Sequence, residues 1–218
     1  MPILVGKDDK AGVRFAMVVP SKGVQVYAIG SLVKFIKCLG YKKVICKSDN
    51  EPAIIALQDA ARRTLGVEMI MEESPVGDRQ ANAMVESAVR QAQGHFRGTK
   101  DALETRCGRR INGEHKRIPW LMMHAAAVVN RARKDRDALT VYRRLKGRKF
   151  NRNVAEFGEN ILYLKANSAG KSKFDARWLE GVWLGIRDES GESIVGTPEG
   201  VVKRRILDVS VIMMNVGM

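Results

Sequence analysis

The sequence has 218 residues with 45% apolar and 28% charged side chains, which is the composition of an ordinary folded protein. No apolar run approaches the roughly 20 residues that cross a membrane, and the first residues carry no secretory signal, so we expect an intracellular protein with no membrane association. The three cysteines and three histidines are scattered, which excludes a disulfide framework and a zinc site with the usual ligand spacing.

The formal net charge of +14 is concentrated in the middle of the chain. Residues 101–150 hold 14 lysines and arginines against 5 aspartates and glutamates, whereas residues 151–218 hold 9 of each kind. Such a basic segment is typical of a surface that contacts a polyanion, most simply DNA or RNA. A solvated basic surface without a partner is the alternative.

Hydrophobic periodicity predicts alternating strands and helices over the first hundred residues. Two apolar runs, Ile3–Val5 and Val13–Val19, predict a hairpin. From Val26 to Leu39 apolar residues recur at spacings of three and four, which predicts a helix that ends at Gly40. A strand over 43–46, a helix over 51–65 and a strand over 67–71 follow in the predicted order. This order indicates a layered α/β domain.

A loop over 74–80 precedes a helix that we expect to begin near residues 78 to 80 and to end near Arg97. On this helix Asn82, Glu86 and Arg90 are four residues apart and share one face. The apolar positions cover a different arc. Glu86 is therefore not expected in the core.

The second half of the chain changes from helix to strand. We expect a break over 100–118, a helix over 118–131, a short basic helix or turn over 140–150 and a linker over 151–156. From residue 157 onward, short β-leaning runs with turns every 8–12 residues or so predict a small barrel. The predicted domains are 1–150, with a helical basic extension from about residue 100, and a β-barrel over 151–218.

Two carboxylates stand where they could share a metal ion. Asp49 closes the predicted strand, and Glu86 lies on the helix after the loop. Magnesium takes oxygen ligands and usually one or two protein carboxylates, so this pair points to metal-assisted chemistry on a phosphodiester. A turn or helix-capping role for Asp49 and a solvated position for Glu86 are the alternatives.

An ordered series of short motifs resembles the integrase of copia-type long-terminal-repeat retrotransposons, relatives of retroviral integrases. The resemblance covers nearly the whole chain, and its specificity lies in the order of the pieces. The series consists of KSDNEP (47–52), SPVGDRQANAMVE (74–86), Pro119-Trp120, Asn130-Arg131, Thr140 to Tyr142, KGRK (146–149), Phe157-Gly158 and FDARWLEGVWLG (174–185).

The resemblance implies a ribonuclease-H-like fold, with a mixed five-stranded sheet, flanking helices and an Asp-Asp-Glu metal site. Asp49 and Glu86 match two of the three acidic ligands, and the cofactor would be Mg²⁺ or Mn²⁺. The implied reaction is trimming of DNA ends followed by strand transfer in the nucleus. DNA is the implied partner, and assembly of several copies is a further expectation.

The family's first catalytic Asp lies on a strand that would precede Met1, so the chain is expected to start one strand late. Asp8 and Asp9 are poor substitutes, because they lie where a strand ends or turns and suit a solvated turn. Without the third ligand we expect weak metal binding and little strand transfer. A degenerate or domesticated fragment that binds DNA without catalysis is the alternative function.

The resemblance and the charge together give candidate DNA contacts. Asn82 and Arg90, which share the face of Glu86, are expected near DNA, with ordinary helix surface as the alternative. The basic side chains of the middle segment are expected to contact phosphates. They are Arg131, Arg133, Lys134, Arg143, Arg144, Lys146, Arg148 and Lys149.

Overall fold

The chain has a mixed α/β architecture in a computed structural model, and its contacts divide it into two units. One unit comprises Met1–Arg97 and Ala125–Lys149, and the other comprises Gly98–His124 and Phe150–Met218. The predicted domain boundary near residue 150 stays a prediction. The structure describes residues 1–48, 50–73, 79–135, 137–152, 154–165, 174, 177–188 and 190–206.

Thirteen elements lie in these described residues, in nearly the predicted order. In chain order they are β1 (Ile3–Lys7), β2 (Arg14–Val18), α1 (Val26–Leu39), β3 (Lys43–Ser48), α2 (Pro52–Leu65), β4 (Glu68–Glu73), α3 (Arg79–Cys107), α4 (Ile118–Ala132), α5 (Val141–Lys146), β5 (Asn160–Leu164), β6 (Trp178–Ile186), β7 (Ser193–Thr197) and β8 (Gly200–Arg204).

The first unit starts with the predicted hairpin. β1 and β2 pair antiparallel, with Ile3 opposite Val18 and Lys7 opposite Arg14. Consecutive β2 residues Ala16, Met17 and Val18 are all buried, although they point alternately to opposite faces of the strand. β2 is therefore covered on both faces.

An asparagine side chain occupies the outer edge of β2. The Asn130 amide of α4 donates to the Arg14 carbonyl (2.6 Å) and accepts from the Arg14 N–H (3.0 Å). Arg14 itself is 8% exposed, so both backbone groups need a partner. The Asn130 side chain thus makes the two hydrogen bonds that a neighbouring strand would make at this position. This gives the asparagine of the Asn130-Arg131 motif a structural role.

Helices α1 and α2 form one layer under both pairs of strands. Leu32 and Ile36 of α1 pack with Leu57 and Ala61 of α2, and the same core includes Met17, Val19 and Met69 from the strands. Gly40 ends α1 as predicted: its φ of 72° is left-handed, and its N–H donates to the Lys37 carbonyl.

Strands β3 and β4 pair parallel, from Lys43 opposite Glu68 to Ser48 opposite Glu73. Parallel neighbours require a crossover, and α2 provides it. Within the described part of the chain this pair is not hydrogen-bonded to the β1–β2 hairpin. The resemblance implied a mixed five-stranded sheet from which this chain was expected to lack the first strand. The described strands of the first unit form two two-stranded sheets instead of one continuous sheet.

Helix α3 continues to Cys107, so the predicted end near Arg97 is wrong. Two interactions beyond that point favour the helix. Leu103 is 2% exposed, and Lys100 forms an ion pair with Glu104 one turn later. Periodicity over the first turns could not reveal these contacts.

The second unit contains a four-stranded antiparallel sheet in the order β5-β6-β7-β8. Trp183 is fully buried in its core with Ile161 and Val195. After β8 the chain returns to the other edge of this sheet, where Ile206 forms an antiparallel bridge with Tyr163 of β5.

We predict that Asn130→Ala lowers the free energy of unfolding by about 1–3 kcal/mol, because it leaves the buried N–H and carbonyl of Arg14 without partners. Urea unfolding followed by circular dichroism measures the change. Asn151→Ala, at an exposed position, is the matched control. Equal stability of Asn130→Ala and the control would contradict this role.

Candidate metal and nucleic-acid site

The parallel pairing of β3 and β4 defines one edge of the first unit. Both strands end there, at Ser48 and Glu73. Asp49 follows Ser48 directly in the sequence but lies outside the described residues. It stays a predicted ligand.

Helix α3 starts after the end of β4. Six peptide links separate Glu73 from Arg79, which limits their distance to about 22 Å. Glu86 lies seven residues into α3, or about 10 Å along its axis. The two predicted ligands therefore belong to segments that follow β3 and β4 in the sequence, and these two parallel strands end on the same side of the pair.

The described part of the predicted face of α3 is solvent-accessible. Glu86 and Arg90 are exposed, while Ala88 and Ala92 on another arc are buried. Asn82 lies in the first turns of α3, but its side chain is outside the described part. The expectation that Glu86 stays out of the core is confirmed.

A buried glutamine holds the end of β3 against α2. Gln58 is 5% exposed; its amide oxygen accepts from the Ser48 hydroxyl (3.2 Å), and its nitrogen donates to the Cys46 sulfur (3.1 Å). The pKa of the Cys46 thiol is raised, because burial outweighs the opposite effect of the Gln58 hydrogen bond. Both ends of the amide thus contact the strand that leads into Asp49.

Sequence reasoning missed Gln58, although a signal existed. Gln58 falls between Leu57 and Ala61 on the apolar arc of α2, where a polar residue is out of place. A polar side chain on a buried face needs a partner, which points to a specific contact with the next layer.

Most of the predicted basic contacts are solvent-accessible. Arg131 is half-buried at the end of α4 and has interactions of its own. The exposed members of the set are Arg133, Lys134, Arg143, Lys146, Arg148 and Lys149.

Arg144 differs from the rest of this set. Its guanidinium binds Asp137 in a bidentate pair (2.6 and 2.9 Å), contacts Asp135 (2.7 Å) and donates to the Ala11 carbonyl (3.1 Å). The Arg144 hydrogen bond is the largest cause that lowers the pKa of Asp135, and it lowers that of Asp137 to about 2. This geometry favours a structural role, in which Arg144 ties α5 to the hairpin; its phosphate contact stays a prediction.

The described residues contain no cluster of three or more His, Cys, Asp or Glu side chains with metal-binding geometry. The predicted Asp49–Glu86 pair is not tested by this, because Asp49 is outside that part. None of the described helices is long and apolar enough to span a membrane.

Solved structures that are similar to the chain include an integrase core domain and an intasome. The chain is similar to the catalytic core domain of BIV integrase, with a TM-score of 0.46 and 20% identity over 66% of this chain and 85% of that chain. It is also similar to the simian T-cell lymphotropic virus intasome in complex with PP2A regulatory subunit B56 gamma, with a TM-score of 0.49 and 14% identity over 94% of this chain and 71% of that chain. No family model and no curated protein matches the sequence.

Arg144→Ala is expected to lower the free energy of unfolding at neutral pH. A carboxyl whose pKa falls on folding stabilises the native state above its unfolded pKa, and this contribution is lost as the pH falls toward the folded pKa. For Asp137 that window runs from 3.8 down to about 2. The difference between wild type and Arg144→Ala should therefore shrink across it in urea titrations.

The neighbouring substitution Arg143→Ala is the control, because Arg143 is exposed and its side chain has no carboxylate partner among the described ion pairs. It should leave stability nearly unchanged at every pH. An equal loss of unfolding free energy in both variants, or a loss in Arg144→Ala that does not change with pH, would count against the ion-pair role.

Proposed function

We propose that the chain is an integrase-like, DNA-binding protein of a retroelement, in which Asp49 and Glu86 ligate Mg²⁺ or Mn²⁺ for polynucleotidyl transfer in DNA integration. The observation that carries this proposal is the parallel pairing of β3 and β4, since it starts both ligand-bearing segments at one edge. The ordered motif series supports it independently, because each motif in that series is matched in sequence order.

The donor set suits the proposed cofactor. Carboxylate oxygens are the ligands that Mg²⁺ and Mn²⁺ prefer, and one or two carboxylates leave room for water and substrate phosphate. A divalent ion held there would activate the attacking oxygen and stabilise the leaving oxygen at phosphorus. Gln58 would keep the end of β3 in place, and the exposed position of Glu86 leaves it accessible to DNA.

The exposed basic side chains of the first unit are proposed to hold the DNA backbone. Contacts of this kind position DNA without reading its sequence, and they release counterions. Arg133, Lys134 and Arg143 are exposed in the described structure and suit this role, whereas the Arg144 guanidinium is occupied by carboxylates. Location in the nucleus is part of the same proposal.

The second unit is proposed to form a small barrel. The Tyr163–Ile206 bridge supports closure, because it links the segment after β8 with β5 at the opposite edge of the sheet. A hydrogen bond from the Leu164 N–H to the Arg205 carbonyl lies next to it. Closing a sheet in this way removes its exposed edges.

This sequence matches two of the three acidic ligands that the resemblance names. We therefore propose that the chain binds DNA and, through these two, a divalent ion. The alternative is a protein that binds DNA without catalysis. It would have the same basic surface, but its binding of metal and DNA would not depend on Asp49 and Glu86.

Metal binding separates the two functions. We expect Mn²⁺, titrated in the presence of duplex DNA and detected by electron paramagnetic resonance, to bind several-fold more weakly to Asp49→Asn and Glu86→Gln than to wild type. Asp101→Asn removes an exposed carboxylate further along α3 and should change nothing. Equal Mn²⁺ binding by wild type and both site variants would leave a non-catalytic DNA-binding protein as the function.

A further inference from the structure

A basic segment between α3 and α4 belongs to a different unit from the predicted DNA contacts. Residues 108–117 belong to the second unit, whereas the predicted DNA contacts from Arg131 to Lys149 lie in the first. This segment, named the connecting loop below, has four cations and one carboxylate, Glu114. The cations are Arg109, Arg110, Lys116 and Arg117.

The start of the connecting loop is fixed by Glu104 on α3. The Glu104 carboxylate accepts from the Ile111 N–H and from the Lys100 ammonium. The Ile111 hydrogen bond is the largest cause that lowers the pKa of Glu104, followed by the one from Lys100. Glu104 therefore stays ionised at neutral pH, and its contact brings the loop back onto the helix.

The end of the connecting loop is fixed by its own hydrogen bonds. The Asn112 side chain accepts from the Glu114 N–H (3.2 Å), and the Asn112 carbonyl accepts from the His115 N–H (3.0 Å). The His115 ring then accepts from the Arg117 N–H (3.2 Å) immediately before α4 begins. These bonds are local in sequence, so the loop has a defined shape of its own.

The cations of the connecting loop are solvent-accessible to different degrees. Arg109, Arg110 and Lys116 are exposed and Arg117 is half-buried, and none of the four forms an ion pair with another described residue. The charge of Arg110 nevertheless helps to lower the pKa of the Glu104 carboxyl. Arg106, only three residues earlier than Arg109, shows the contrast: it pairs with Glu156 and donates to the Phe157 carbonyl. The hydrogen bonds of the loop thus hold exposed positive charge in place.

We propose that the connecting loop is a second nucleic-acid surface, which binds the phosphate backbone through Arg109, Arg110, Lys116 and Arg117. The inference deepens the proposed function and rests on it for the choice of DNA as the polyanion. A phosphate backbone fits better than an acidic protein, because hot spots of protein interfaces combine arginine with Trp or Tyr, and residues 108–117 contain arginines but no Trp, Tyr or Phe. Contacts of this kind add affinity without sequence preference.

The first test removes charge from the loop. Arg109→Ala/Lys116→Ala should reduce the slope of log K against log salt by up to about 1.8, since each neutralised phosphate contributes about 0.9. The probe is a fluorescein-labelled duplex DNA of random sequence, followed by anisotropy. Lys37→Ala/Lys42→Ala removes two exposed cations from the first unit and should keep the wild-type slope.

The second test separates a fixed site from general attraction. Glu104→Ala makes the chain more positive, so general electrostatics predicts tighter DNA binding. Loss of the Ile111 contact predicts weaker binding instead, by several-fold, because the loop cations must then be ordered on binding. Glu104→Gln keeps a hydrogen-bond acceptor and should stay near wild type, and circular dichroism checks that each variant is folded.

A wild-type salt slope in Arg109→Ala/Lys116→Ala, or tighter binding by Glu104→Ala, would overturn the inference. Competition by polyglutamate as effective as competition by unlabelled DNA would replace DNA with an acidic protein as the partner. These outcomes are distinct from failure of the proposed function, which is decided by Mn²⁺ binding to Asp49→Asn and Glu86→Gln. Either result can occur without the other.

Discussion

The parallel pairing of β3 with β4 is the constraint on which the first unit depends. Two parallel strands can be joined only by a crossover, and α2 fills this role while burying Leu57 and Ala61 against α1. The same pairing makes both strands end at one edge. The residues Asp49 and Glu86 follow these two strands in the sequence, which is the basis on which a shared metal site is proposed.

Three polar side chains hold irregular parts of the first unit in place. Gln58 binds the end of β3, Asn130 occupies the edge of β2, and Arg144 ties α5 to the loop of the hairpin. Each makes at least two hydrogen bonds, so loss of one side chain leaves several groups without partners. The basic residues therefore differ in their availability to DNA. The Arg144 guanidinium is bound by carboxylates, whereas exposed neighbours such as Arg143 are accessible.

Local patterns in the sequence predicted the elements well and the contacts between them poorly. The helix ending at Gly40 and the exposed position of Glu86 follow from spacing alone, because both depend on one element. The extension of α3 past Arg97 depends on Leu103 being buried, and the role of Gln58 depends on a strand twelve residues away. Such contacts are properties of the tertiary fold. In the sequence, one of them is indicated by Gln58, a polar residue on the apolar face of α2.

Asp49 and Glu86 are proposed to converge where β3 and β4 both end. Cross-linking can measure this: Asp49→Cys/Glu86→Cys, in a chain with Cys38, Cys46 and Cys107 replaced by serine, is treated with a short bismaleimide and analysed by peptide mass spectrometry. We expect rapid intramolecular cross-linking of this pair. We expect little for Asp49→Cys/Arg97→Cys, whose second position is about 16 Å further along α3. Equal cross-linking in both variants, or none between positions 49 and 86, would contradict a shared metal site.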